Sequence, residues 1–252
     1  MLAFLFLASG CSKDDVLQKF ASKEEQAVAS GYIEKLRQGQ ISDIEAQLDV
    51  SLRKPGVGDT LTKMSAMVPK GKPDSVTLVG ARTQYWNGAK SVNLTYQYQF
   101  GEQWFLINCA SHGEGAALRI LGLTVTPMAQ SLDEQNKFTL GGKNWVQYTV
   151  LAAAITFALL SIYALVLCAR DKSLRRKWAW VLFVMFGVCK FAVNWTTGEW
   201  GFTPLAIQLF SSGAAADLYG PWIISTSLPL GAVWYLLRRR RNQIPAPLSN
   251  PI

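Results

Sequence analysis

The sequence predicts an α+β domain in the first half of the chain and an all-α membrane domain of three transmembrane helices in the second half. Three observations lead to this division. Residues 21–137 show helix-capping signals followed by a strand-like alternation of apolar and polar side chains. Two short clusters of Lys and Arg, Arg170–Lys177 and Arg238–Arg241, lie beside apolar segments. The apolar segments are Trp145–Ala169, Trp178–Trp195 and Tyr219–Leu237.

Capping boxes predict two helices at the start of the first domain. In each box a serine precedes a glutamate by three residues, so that both side chains satisfy free amides of the first helical turn. The boxes are Ser22 with Glu25 and Ser42 with Glu45. They predict helices that end near Arg37 and near Leu52, and a third, short helix is expected over Thr60–Val68.

Four antiparallel strands are predicted after these helices. Apolar residues at 92, 94, 96, 98 and 100 alternate with polar ones, which is the pattern of a strand with one buried face. The preceding Asn87-Gly88 is a strong hairpin signal. The other strands are expected around Val76, over Trp104–Ala110 and over Leu118–Thr126.

The order of helices and strands, with the Tyr-rich strand, glycine turn and Trp-containing strand of residues 94–107, is similar to the NTF2-like (cystatin-like) fold. The resemblance implies helices packed in the concavity of a curved sheet. Proteins of that fold include enzymes, ligand-binding proteins and assembly modules, so the fold implies no single function. Tyr96, Tyr98 and Trp104 are the candidate pocket residues, because large amphipathic rings on the inner face of a sheet can line a cavity. The alternative is that they are ordinary core aromatics.

The chain begins with a short apolar stretch that ends in Leu7-Ala8-Ser9-Gly10-Cys11. This segment resembles the lipobox of bacterial lipoprotein signal peptides. The resemblance implies that residues 1–10 are a signal peptide, that Cys11 is lipid-modified, and that residues 11–20 are a tether. The alternatives are a signal anchor with an incidental cysteine and a cleaved signal of another type.

The charges of the second half predict its orientation. Residues 145–252 contain 10 Lys or Arg and 3 Asp or Glu, whereas residues 12–144 contain 15 and 14. Lys and Arg beside an apolar span resist translocation, so both clusters are expected in the cytoplasm. Residues 145–241 are then expected to cross the membrane three times, with residues 21–137 outside. The remaining segments are a linker, 138–144, and a disordered cytoplasmic tail, 242–252.

Lys190 is the one charged residue inside a predicted span, and Asn194 lies one turn further along the same predicted helix face. An ionisable residue inside a span is a candidate for function. Its position near the outer end favours a simpler interpretation, in which the side chain reaches the membrane surface or pairs with Glu199. The alternative is a role in transport.

No motif in the sequence predicts catalysis, a metal site or a cofactor. His112 is the single histidine, and its pairing with Cys109 as base and nucleophile lacks a third, orienting residue. The spacing of Cys and His does not match a zinc site, and the sequence contains no phosphate-binding loop. The sequence therefore favours a protein that is not an enzyme and that uses no cofactor.

These expectations combine into a protein of the bacterial inner membrane whose periplasmic domain binds a ligand or partner. The expected partners are the lipid bilayer and another envelope protein. Nucleic acid is not expected, because the excess basic charge lies beside apolar segments. Two alternatives come from other classes: an enzyme acting on a lipid or cell-wall precursor through Glu199 and Asp217, and a small transporter subunit that depends on Lys190.

Overall fold

The chain divides into two compact units, Met1–Gln135 and Asn136–Ile252, which we call the N-terminal unit and the C-terminal unit. The structure is a computed structural model. It describes Leu17 and residues 21–86, 89–113 and 118–243. Cys11 and the predicted signal peptide lie outside the described residues, so lipidation stays a prediction.

The N-terminal unit begins with helices. They are α1 (Lys23–Gln38), α2 (Ile41–Gln47), α3 (Val57–Met67) and, after the sheet, α4 (Leu132–Gln135), with a 3-10 turn at Val50–Leu52. The capping box at Ser22 forms, with Oγ accepting from the Glu25 amide at 3.2 Å and the Glu25 carboxylate accepting from the Ser22 amide at 2.8 Å. Gly39 ends α1 in the left-handed conformation, with φ of 75°.

The second predicted capping box does not form. Helix α2 begins at Ile41, one residue before Ser42, and the preceding Gln40 makes no side-chain cap. The reason is that α1 ends at Gly39 and the chain re-enters a helix almost at once. Ser42 therefore already lies in the first turn of α2, where its hydroxyl cannot act as the N-cap.

A four-stranded antiparallel sheet follows, with its strands in the order β1-β2-β3-β4. The strands are β1 (Ser75–Trp86), β2 (Ala89–Phe100), β3 (Gln103–His112) and β4 (Arg119–Met128). Helices α1 and α3 contact the strands. The core contains Ile33, Leu36 and Ile44 of the helices and Leu94 and Ile107 of the strands, all fully buried. The N-terminal unit therefore has a hydrophobic core of its own.

The C-terminal unit contradicts the prediction of three transmembrane helices. Its elements are α5 (Trp145–Arg170), α6 (Lys177–Met185), β5 (Phe186–Asn194), β6 (Trp200–Leu209), β7 (Ser212–Ala215), β8 (Ile223–Leu228) and α7 (Leu230–Gln243). In the described part of the chain, α5 is the only helix long and apolar enough to cross a membrane. The strands form a second antiparallel sheet in the order β6-β5-β8-β7. An all-α fold is therefore wrong for this half.

Local sequence explains why the second and third apolar segments are not single helices. Helix α6 ends just before Gly187, whose missing side chain lets the hydroxyls of Ser211 and Ser227 approach its backbone. In the third segment, Ile223–Leu228 pairs with β5, and its β-branched residues Ile223, Ile224 and Thr226 favour a strand. Pro229 then separates this strand from α7, because the residue before a proline is disfavoured in a helix. Hydropathy does not reveal these changes, since it records composition and not periodicity.

Helix α5 packs against both parts of the C-terminal unit. Its first half lies on the sheet, where Val150 and Ala154 cluster with Val193, Trp195 and Ile224. Its second half packs on α6 and α7 through another apolar cluster. That cluster consists of Ala164, Cys168, Val184, Ala232 and Tyr235.

Candidate functional site

The N-terminal unit contains an open cavity of about 720 Å³ beside α1, the connection from α3 to β1, and the first two strands. Its lining includes Gly31, Glu34 and Arg37 of α1, Lys70 and Lys72 of the connection, and Tyr98 of β2. The residues from α1 are three residues apart and share one face of that helix. A cavity of this size with a few polar groups is suited to a small ligand.

Arg37 is the buried charge at this cavity, with 5% of its surface exposed. Its Nη1 pairs with the Glu34 carboxylate, and its Nη2 donates to the backbone carbonyls of Gly71 and, at 3.5 Å, of Pro69. Within the described residues its Nε has no hydrogen-bond acceptor. A guanidinium can be buried when its charge is paired and most of its donors are used. Arg37 therefore fixes the connection between α3 and β1.

Two aromatic rings lie beside the Arg37 guanidinium. Its Cζ is 5.1 Å from the centre of the Phe100 ring and 5.9 Å from that of Tyr98, within the range of cation–π attraction. The two rings stack with their centres 6.3 Å apart. Burial raises the pKa of Tyr98 to about 12. Its phenol therefore stays neutral well into the alkaline range.

The three aromatic residues predicted to line a pocket lie in different places. Tyr98 lines the cavity at Arg37. Tyr96 is two residues away on the same face of β2, and its hydroxyl donates to the Gln26 carbonyl at 3.4 Å. Burial raises the pKa of Tyr96 to about 12. Trp104 lies on the opposite face of β3 from its buried neighbour Phe105, so the structure does not bring it to the cavity.

The other cavity residues were not identified from the sequence. Arg37 was expected only as the end of a helix. Lys70 and Lys72 lie between the predicted third helix and the predicted strand around Val76, and no role was predicted for them. The sequence does contain two signals. Gly31 is a glycine inside an otherwise regular helical segment, and the two lysines flank Gly71 with no acidic residue between them.

His112 and Cys109 do not form a catalytic pair. Cys109 is buried, and this burial raises the pKa of its thiol to about 12, so the reactive thiolate is scarce. His112 instead contacts Asp49, with 3.0 Å between Nε2 and Oδ2. Asp49 also accepts hydrogen bonds from the hydroxyl and the amide of Ser51, at 2.6 and 2.9 Å. These bonds to Ser51 lower the pKa of Asp49 to about 2.

Lys190 lies in a strand of the C-terminal unit, so the interpretation of it as a helical residue in a span is wrong. It is in β5, opposite Thr203 of β6 and Ser227 of β8. The expected ion pair with Glu199 is not formed, and Lys190 has no ion pair within the described residues. The alternation of a strand, and not helical rise, therefore determines where its side chain points.

Asn194 shapes the turn between β5 and β6. Its Oδ1 accepts hydrogen bonds from the amides of Thr196 and Thr197, at 2.9 and 3.1 Å. Glu199 hydrogen-bonds to Thr197 in the same turn. Asp217 begins a separate turn before β8. The two carboxylates considered for an enzyme therefore lie in different turns.

No metal site and no similar protein indicates a chemistry for the described residues. Across residues 21–86, 89–113 and 118–243, no three His, Cys, Asp or Glu side chains are placed to hold a metal ion. Comparison with protein-family models, with curated proteins and with solved structures finds no match for this chain. The geometry of the chain itself is therefore the basis for interpreting its function.

The apolar exterior of the C-terminal unit is a second candidate feature. Large apolar side chains are exposed on every element of this unit except β7. The most exposed is Leu205 of β6, at 99%. In the N-terminal unit, the described residues of this kind are Val50, Met67, Val76 and Tyr85. Large apolar patches are rare on soluble monomers and usually mark contact with a membrane or another protein.

The two basic clusters lie at the same end of the C-terminal unit. The guanidinium of Arg238 is 5.0 Å from the centre of the Trp180 ring. The Tyr235 hydroxyl donates to the Asp171 carboxylate at 3.3 Å, and Arg239 donates to the Tyr235 hydroxyl at 3.3 Å. The C-terminal end of α5, the start of α6 and the end of α7 therefore meet in one strongly basic region.

Aromatic rings collect where α5 begins. The Phe138 ring stacks on Trp195 with 5.1 Å between ring centres, and Trp222 meets it edge-on at 6.1 Å. Gln147, in the first turn of α5, donates to the Trp195 carbonyl at 2.7 Å. The Lys143 ammonium is 5.8 Å from the Trp195 ring centre. The C-terminal unit thus has an aromatic end and a basic end, separated by the length of α5.

Proposed function

We propose that the protein is anchored in the bacterial inner membrane and that its N-terminal unit binds a ligand or partner outside the cytoplasm, without catalytic activity of its own. The apolar exterior of the C-terminal unit is the observation that carries this proposal. Removing apolar surface from water is favourable by about 25 cal/mol per Å². An exterior of this composition therefore favours lipid over water.

Helix α5 is the element we propose to cross the bilayer. Its 26 residues extend about 39 Å, which exceeds the hydrocarbon thickness of about 30 Å. The basic cluster Arg170–Lys177 follows its C-terminal end, and Arg238–Arg241 lies at that same end of the unit. Because basic residues next to a span resist translocation, this end is assigned to the cytoplasm. The start of α5, and the N-terminal unit before it, are then outside.

The partner we propose is another envelope protein that supplies an extended strand to β6. This strand is at the edge of its sheet, and its outer side has no neighbouring strand among the described residues. No charged side chain interrupts Trp200–Leu209, so Pro204 is the one residue in it of the kinds that protect edge strands from pairing. An open edge in hydrocarbon leaves backbone groups unsatisfied. A covering strand would satisfy them wherever β6 meets lipid.

Extraction and protease access test the anchoring. Full-length protein should stay with bacterial membranes through an alkaline wash. Protease added to intact spheroplasts should digest the N-terminal unit and leave the Arg238–Arg241 end uncut until the cells are lysed. Recovery in the soluble fraction, or an N-terminal unit that resists protease in intact spheroplasts, would contradict the proposal.

Charges placed on α5 make this test specific. Ile155→Lys with Leu159→Lys introduces two charges at exposed positions, so packing within the unit is retained. Each charge near the centre of a span is unfavourable by about 2.5–3.5 kcal/mol, and the double variant should be lost from the membrane fraction. The matched control is Val50→Lys with Tyr85→Lys, at exposed positions of the N-terminal unit, which should remain membrane-bound.

A charge on β6 tests the partner separately. Ile207→Lys should shift the detergent-extracted protein to a smaller particle in size-exclusion chromatography, because lysine on an edge strand opposes pairing. Leu182→Lys is the control, since Leu182 is an exposed residue of α6. An unchanged particle size for Ile207→Lys, or an equal shift for both variants, would contradict pairing at β6.

A further inference from the structure

We propose that the cavity at Arg37 binds an organic anion, a phosphate or carboxylate joined to a small apolar group. The inference rests on the proposed function, because it names the ligand class of the N-terminal unit. In this assignment the anion faces Lys70 and Lys72, while the apolar group lies against Gly31 and the ring of Tyr98. All four residues line the same cavity.

Gly31 keeps the helical side of the cavity open. Glycine inside a helix is less favourable than alanine, so its presence in α1 needs a reason. Its backbone is not in the left-handed region, and no other residue lies within 4 Å of the place that a Cβ would occupy. Neither local conformation nor packing therefore requires glycine at this position. The surface that it leaves is open to a ligand that enters the cavity.

The cavity carries positive charge that the protein does not neutralise. Lys70 and Lys72 both line it, and neither makes an ion pair within the described residues. Glu34, the carboxylate in the lining, is already engaged by Arg37 and by Gln38, whose side-chain amide donates to it at 2.9 Å. A ligand that enters therefore meets uncompensated positive charge, which selects for an anion.

Arg37 is a positioning residue for these lysines. Its Nη2 donates to the carbonyls of Pro69 and Gly71, on either side of Lys70. A connection fixed in this way loses less conformational freedom when a ligand binds. Tyr98, which also lines the cavity, adds an aromatic ring to its wall.

Phenyl phosphate is the probe for the experiment, which uses full-length protein in a nonionic detergent. We expect saturable binding by calorimetry. We also expect protection of Lys70 and Lys72 from acetic anhydride, measured at each lysine by mass spectrometry. Lys54 and Lys63, which are exposed elsewhere in the same unit, should react equally with and without the probe. Benzoate tests the carboxylate form of the ligand, and benzyl alcohol tests whether charge is required.

Two substitutions at Gly31 test whether the anion binds inside the cavity or elsewhere on the surface. Gly31→Phe places a ring in the open space above α1 and should abolish binding and protection. Gly31→Ala adds a single methyl group on the surface against which the apolar group lies, and should weaken binding of phenyl phosphate less than Gly31→Phe does. Both variants keep every charge of the cavity, so any difference between them arises from the space that they fill.

Removing the two lysines tests whether their positive charge contributes to anion binding. Lys70→Gln with Lys72→Gln should weaken phenyl phosphate binding by about five- to tenfold, the effect of losing two exposed charge contacts. Lys54→Gln with Lys63→Gln changes the net charge equally and should leave the affinity unchanged. The wild-type affinity should fall as salt is raised, because exposed charges are screened.

The proposal is overturned if phenyl phosphate and benzoate neither bind saturably nor protect the two lysines. It is also overturned if benzyl alcohol protects them equally, or if Gly31→Phe binds the anion as well as Gly31→Ala. These outcomes are independent of membrane anchoring, which extraction and protease access measure on the same protein. A protein that stays in the membrane but fails all anion tests would therefore keep its proposed anchoring and lose only this ligand.

Discussion

Each unit contains a four-stranded antiparallel sheet, but the two sheets distribute apolar side chains differently. In β2 of the N-terminal unit, Leu94 and Tyr98 point into the core, and polar residues alternate with them. In β6 of the C-terminal unit, Phe202, Leu205 and Ile207 are all largely exposed. An alternating strand suits a sheet with a core on one side and water on the other. A strand that is apolar on both faces suits surroundings without water, and the proposed membrane anchoring of the C-terminal unit rests on this difference.

The largest expected difference between the two units is the loss of stability when one apolar residue of each sheet is truncated. Ile107→Ala removes a fully buried side chain of β3 and should lower the free energy of unfolding of the N-terminal unit by about 2–5 kcal/mol, from lost burial and a residual cavity. Leu205→Ala, at an exposed position of β6, should change the stability of the C-terminal unit by less than about 0.5 kcal/mol. Urea titration with hydrogen exchange measured separately for each unit would show this. Equal losses of stability at the two positions would contradict the difference between the two sheets.

The next effect concerns close packing inside the C-terminal unit. A Cβ at Gly231, at the start of α7, would overlap the carbonyl of Phe183 in α6. We expect Gly231→Ala to lower the free energy of unfolding of this unit by about 1–3 kcal/mol, the usual effect of overpacking. Thermal unfolding in detergent, followed by tryptophan fluorescence, measures it. Gly201→Ala in β6 is the matched control, because no atom lies within 4 Å of its Cβ position; a similar loss there would show that the close approach at Gly231 is not the cause.

The sequence predicted the N-terminal unit better than the C-terminal unit, for a physical reason. In residues 21–128, water contacts one side of the elements, so polarity alternates along β2 and the capping box at Ser22 is visible. Residues 145–237 contain long apolar runs, so the strand Phe186–Asn194 and the helix α6 before it lie within one such run. The period that distinguishes a helix from a strand is then lost.

The candidate cavity was predicted even less completely. Tyr98 was found because its aromatic ring stands out in an alternating strand. Arg37 is separated from Gly71 by 34 residues, and no local pattern indicates that its guanidinium binds that carbonyl. Gly31 carried the clearest signal, a glycine inside a helix, but its meaning depends on the empty space above it. Tertiary placement, which propensity does not encode, therefore determines this site.

Gly31→Ala should change stability in the opposite direction to Gly231→Ala. Its Cβ meets no other residue within 4 Å, so the substitution adds no clash. Alanine is favoured over glycine inside a helix by up to about 1 kcal/mol, and we expect the N-terminal unit to be stabilised by that amount. Urea titration of the full-length protein would show a higher midpoint for exchange of α1. A lower midpoint would mean that the open space is needed for folding and would remove the reason to assign it to a ligand.

The smallest expected effect is a pH dependence confined to the N-terminal unit. Hydrogen bonds from Ser51 hold the pKa of Asp49 at about 2 in the folded protein, below the value of about 3.9 for an unfolded chain. The ionised carboxylate therefore stabilises this unit fully above the unfolded value, and the stabilisation is lost as the pH falls through about 2. We expect Asp49→Asn to flatten the stability of the N-terminal unit between those two values, while the C-terminal unit keeps its own profile. Ser51→Ala should produce part of the same flattening, because it removes one of the two Ser51 donors while the amide remains. Acid titration of amide exchange in both units measures this, and an Asp49→Asn protein whose acid profile matches the wild type would exclude Asp49 as its source.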